Sequence, residues 1–127
     1  MTRKDALYAA MCLGTIAFAI AFVYPQLAAQ AIAWYHPIGG GWTFEARPAG
    51  LAIDFYGRLG QGVVAWAVAV LVALPLARRA KPLSDRAAGL LLAWALTLTL
   101  LVMLYYAWTL YFRVPVPEPL PEAYRPR

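Results

Sequence analysis

The sequence predicts an all-α membrane protein with three transmembrane helices. An outer loop with a short interfacial helix and an extended Pro-rich C-terminal tail complete it. Three observations lead there. Ala6–Tyr24, Gly62–Ala77 and Ala87–Phe112 are apolar runs without one Asp, Glu, His, Lys or Arg. Each reaches or approaches the ~20 helical residues that cross a ~30 Å hydrocarbon core. Prolines 115, 117, 119 and 121 alternate beyond the third run, which forbids helix and favours an extended polyproline form. With 63% hydrophobic residues in a 127-residue chain, there is room for one small membrane domain and no second globular core. The expected division is a transmembrane domain over 1–113 and a tail over 114–127. The spans are placed at about 6–24, 58–78 and 86–112, with the outer loop at 25–57.

The first span is expected to stop at Pro25. Ala10, Gly14, Ala17 and Ala21 recur at helical spacing and form a stripe on which another backbone can approach closely. Met11, Phe18 and Phe22 fall largely off that stripe and are assigned to lipid or a partner. Arg3 and Lys4 ahead of this run, with Ala29-Gln30-Ala31 behind it, resemble a signal peptide. The run is longer than the usual signal core, so an uncleaved anchor is expected.

The second span carries the stripe Gly62, Ala65, Ala69 and Ala73. Before it, Leu51–Gly60 reads LAIDFYGRLG, with Asp54 and Arg58 one helical turn apart. That spacing of opposite charges predicts an interfacial helix starting near Leu51. Pro75 is expected to loosen the last turn. The third span follows Ser84, a candidate N-cap, and Asp85, favourable in a first turn. It ends in Tyr105, Tyr106, Trp108, Tyr111 and Phe112, an interfacial aromatic belt. Thr97, Thr99 and Thr109 are expected to bond back to helix carbonyls.

Arg3, Lys4, Arg78, Arg79, Lys81 and Arg86 fall on one side of this topology; the loop between spans one and two holds only Arg47 and Arg58. The bias predicts a cytoplasmic N-terminus and a periplasmic C-terminus. Only two of the eleven basic residues are Lys, and Ala, Arg, Pro and Gly abound, a composition that fits a GC-rich bacterial source and hence a bacterial inner membrane. The net charge of +5 is accounted for by topology and not by nucleic acid, because no basic run interleaves with aromatics.

Few residues offer chemistry. His36 is the one histidine and the one candidate cofactor ligand, for a haem or chlorophyll-type pigment. Gly39–Gly41 lacks the spacing of a phosphate loop and reads as a turn before an extended WTFEA segment. Glu45 and Asp54 are matched by Arg47 and Arg58, so ion pairs outrank acid–base catalysis. Cys12 is alone and fills space in the first span. No nucleophile, metal or acid–base motif is present, and no enzymatic activity is expected.

Trp34, Tyr35, Trp42, Phe44, Phe55 and Tyr56 make the loop aromatic. Such rings anchor in the headgroup layer and also dominate interface hot spots. Trp34, Tyr35, Trp42 and Phe44, with Pro115, Pro117, Pro119 and Pro121 of the tail, are the predicted partner-docking residues. The expected function is a non-catalytic accessory subunit of a larger membrane complex. Respiratory and photosynthetic assemblies are the class analogy. Its partners are then other membrane subunits and lipid. No cofactor is required, although a lipid or hydrophobic pigment fits between the helices. The alternatives are a self-assembling pore or transport component, and a lipid or pigment binder.

Overall fold

The computed structural model describes residues 2–112. Met1 and residues 113–127 lie outside the described residues, and with them the Pro-rich tail with Pro115, Pro117, Pro119 and Pro121. The described chain is α1 (Arg3–Ala28), β1 (Ile32–His36), β2 (Gly41–Glu45), α2 (Phe55–Arg79) and α3 (Asp85–Phe112). All three helices are long and apolar enough to cross a membrane, each about 40 Å at 1.5 Å per residue. The chain is thus compatible with a multi-pass membrane protein.

Local chemistry sets the helix ends. Thr2 and Asp5 form a reciprocal capping box at the start of α1. At α3 the Ser84 hydroxyl accepts from the Ala87 amide at 3.2 Å, in the capping role its position predicts. Thr99 and Thr109 bond back to the carbonyls of Ala95 and Tyr106.

α1 lies in the middle, packed on α2 along one side and α3 along the other. Small residues make the first seam. A side chain at Gly14 would meet Val70 at 2.7 Å and Trp66 at 2.9 Å, and one at Gly62 would meet the Phe18 ring at 2.8 Å. The second seam is Ala19 and Phe22 of α1 against Val102, flanked by Leu98 and Tyr106 of α3. Phe18 and Phe22 are therefore packing residues within the bundle, contrary to their assignment to lipid or a partner. Phe22 is the largest fully buried side chain, and Met11 alone of the three is exposed. Tyr8 ties the seam's far end by donating to the Ala88 carbonyl at 2.9 Å.

Three further expectations are corrected. The fold is not purely α, because the loop folds into an antiparallel hairpin pairing Ile32 with Glu45 through His36 with Gly41. Gly40 closes its turn with a φ of 66° and an amide bonded to His36 O at 2.8 Å, a conformation glycine adopts without strain. Next, no helix begins at Leu51. Ile53 bonds Tyr35 in both directions, at 2.8 and 3.1 Å, so this stretch runs as an extended edge beside β1 and α2 starts at Phe55. Finally, α1 does not stop at Pro25 but continues through it to Ala28. α2 likewise continues through Pro75 to Arg79.

Candidate functional site

The hairpin end of the bundle holds a partly buried polar cluster. Pro25 has no N–H, which leaves the Ala21 carbonyl without its helical donor. Gln61 of α2 supplies that donor at 3.2 Å and also bonds Gln30 at 3.1 Å. One turn earlier, Arg58 donates to the Phe22 carbonyl at 3.3 Å and to Gln26 Oε1 at 3.2 Å. Gln61 thus meets the carbonyl that proline exposes, the condition for keeping proline inside an apolar helix.

Arg58 is 5% exposed and is the one buried charged residue among the described residues. Its Nε bonds Asp54 Oδ2 at 2.6 Å. Tyr106 of α3 donates to the other oxygen of Asp54 at 3.0 Å, and its ring lies 5.4 Å from the guanidinium carbon. The pair forms at the i,i+4 spacing read from sequence, but as a buried junction of all three helices. A buried pair contributes little net stability, whereas breaking it leaves a costly lone charge. Its arrangement ties all three helices together and pins their register.

Above this cluster runs a chain of rings. Trp42 lies 5.1 Å from Tyr35, and both reach Tyr56 within 6.4 Å. Phe55 continues the chain to Phe22 and Tyr106. Of the predicted docking residues, Tyr35 and Trp42 join this chain. Trp34 donates its indole N–H to the Glu45 carbonyl at 2.8 Å. Phe44 and Trp42 are 74% and 59% exposed, presenting free apolar surface. His36 Nε2 is hydrogen-bonded to Thr43 Oγ1 at 2.8 Å, so the ring braces the hairpin. Among the described residues no group of His, Cys, Asp or Glu is placed to hold a metal.

The predicted small-residue stripes divide. Ala10, Gly14 and Gly62 are buried within the bundle. Ala21, Ala65 and Ala69 instead line an open trough of about 960 Å³ beside α1 and α2, roofed by Ala33 and Phe44 of the hairpin. Ala17 borders a smaller hollow next to it, and Ala73 lines a further cleft that meets the trough at Ala69 and Val72 and runs on to the opposite end. The hairpin seats on α2 at Gly57, where any Cβ would run into the Ala33 backbone. The sequence reading missed Gly57, Gln26, Gln30, Gln61 and Tyr106. Pro25, directly after the first apolar run and followed by Gln26-Leu27-Ala28-Ala29, was the available signal: a helix carried through it needs a donor from elsewhere.

Comparison with protein-family models, with curated proteins and with solved structures gives no match. The geometry alone carries the functional reading.

Proposed function

We propose that this chain is a non-catalytic accessory subunit of a larger bacterial membrane complex, of the respiratory or photosynthetic type. The observation that carries the reading is the trough along α2. From Gly57 to Val72 it follows one face of the helix for about 22 Å. That face exposes Gly60, Val64 and Val68, beside the hairpin's Phe44. A helix face with small residues and no helix upon it is a seat for another transmembrane helix. The hairpin's exposed aromatics supply anchors above it.

The partners on this reading are other membrane subunits and lipid, with no nucleic acid. The chain sits in the inner membrane, N-terminus in the cytoplasm and C-terminus in the periplasm. The tail serves as a strap on the partner surface.

Purification of the tagged protein from native membranes in mild detergent, with mass spectrometry of co-migrating chains, tests this. Stoichiometric heterologous membrane subunits are expected. Gly60 has open space around its Cα, so Gly60→Leu fills the trough without a clash inside the chain and should release those subunits. A single-species oligomer would instead mean that a second copy occupies the trough. A protein recovered alone, with Gly60→Leu indistinguishable from wild type, would overturn the reading.

A further inference from the structure

At the end opposite the hairpin, α2 and α3 both flank α1 and leave a second opening between them. It is a cleft of about 600 Å³, lined by Leu13 of α1, Ala73, Leu76 and Ala77 of α2, Leu83 of the connector and Leu91 of α3. No polar side chain lines it. Apolar space of this kind holds no water, so within a bilayer it takes hydrocarbon.

The shape argues against a spanning helix as occupant. The connector between α2 and α3 lines the cleft through Ala80 and Leu83 and so closes one end of it. A transmembrane helix laid here would run into that connector, whereas a lipid tail ends at the interface.

The charge around the mouth selects the lipid. Arg78 and Arg79 end α2, Lys81 lies in the connector and Arg86 opens α3; all four are exposed. None has a carboxylate partner among the described residues. Arg3 and Lys4, in the first turn of α1, add to the same end. Against these six cations stand two carboxylates, Asp5 and Asp85, and Asp5 is held by Thr2. Basic mouths over apolar clefts between membrane helices are the physical pattern that captures anionic lipid headgroups.

We infer that this cleft is a binding site for one anionic glycerophospholipid. An acyl chain lies between α2 and α3, and the phosphate rests among Arg78, Arg79, Lys81 and Arg86. The cleft meets the trough at Ala69 and Val72, so the acyl chain adjoins whatever fills the trough; the inference does not depend on which side of the membrane the basic end faces.

Native mass spectrometry of the full-length protein, titrated with dioleoylphosphatidylglycerol or dioleoylphosphatidylcholine, tests it. The wild type should hold one phosphatidylglycerol at least tenfold more tightly than phosphatidylcholine. Arg78→Gln/Arg79→Gln/Lys81→Gln should lose about fivefold in affinity per cation removed, and Arg47→Gln, in the loop beyond the hairpin, should lose none. Ala77→Phe should abolish binding with the charge unchanged. Equal binding of the two lipids by the wild type, a comparison that needs no variant to fold, would overturn the site. So would full phosphatidylglycerol binding by Ala77→Phe with native helix content.

Discussion

Gln61 Nε2 lies 3.2 Å from the carbonyl oxygen of Ala21, the one helical acceptor in α1 that Pro25 leaves without its donor. A residue of one helix thereby completes the backbone of another. The two positions are 40 residues apart in sequence, yet each explains the other. Proline in the last turns of α1 is tolerated because glutamine stands opposite, and glutamine in an apolar helix is tolerated because that carbonyl needs it.

This makes a double-mutant cycle decisive. Gln61→Leu should destabilise the protein by about 1 kcal/mol, the lower end of the cost of an unmet carbonyl, because Ala21 is only half-buried. Pro25→Ala restores the N–H that Ala21 lacks, so Gln61→Leu should cost much less in that background. Thermal unfolding in detergent of the four proteins measures the coupling. Equal costs in both backgrounds would show that the Gln61 bond is incidental.

Arg58 and Asp54 obey a different asymmetry. Removing one partner strands the other, and Arg58→Met alone should cost about 3–5 kcal/mol. Asp54 keeps 19% of its side chain exposed, which places the value at the lower end. The double replacement Asp54→Leu/Arg58→Met should recover most of the loss. It also frees Tyr106 and removes a constraint on all three helices, so distances between spin labels at the hairpin ends of α1 and α3 should broaden. A double variant as unstable as the single one would mean the pair contributes net stability.

The three spans were legible because hydropathy over a helix-length run is a local property, and capping at Ser84 was legible for the same reason. The hairpin was half legible. WTFEA reads as extended, but its partner IAWYH follows an apolar helix and ends at a proline, so the pairing is invisible until the register is known. The interfacial helix was misplaced because Ile53 is held by Tyr35, a non-local bond that overrides the favourable Asp54–Arg58 spacing. The polar cluster was illegible as a site. Asp54 and Arg58 were visible as a pair and the amides were not, while Tyr106 and Asp54 lie 52 residues apart, and only the packing of α1 between α2 and α3 brings them together.

Two glycines four residues or fewer apart on α2 should respond in opposite ways. At Gly57 a Cβ meets the backbone of Ala33, which cannot move without shifting β1. Gly57→Ala should therefore lift the hairpin from α2 and expose it to protease. At Gly60 a Cβ meets nothing, and Gly60→Ala should be neutral or stabilising by up to about 1 kcal/mol through helix propensity. Limited proteolysis between residues 37 and 50 compares them. Equal protection in both would show that the hairpin does not rest on Gly57.

Topology supplies the last test, because α2 separates the hairpin from the α2–α3 connector. Gly39 in the hairpin turn and Lys81 in the connector lie beyond opposite ends of a helix about 38 Å long at 1.5 Å per residue. They must then face opposite sides of any membrane that α2 crosses. The four cations Arg78, Arg79, Lys81 and Arg86 around the connector, with Arg3 and Lys4 at the start of α1, predict a cytoplasmic location for that end. Single cysteines introduced at Gly39 and Lys81 in a Cys12→Ala background report this in intact cells. An impermeant maleimide added outside should label the Gly39 site and reach Lys81 only after the inner membrane is opened. Labelling of both from outside would mean that α2 does not span the membrane, and labelling of Lys81 alone would invert the orientation while leaving the three-helix fold unchanged.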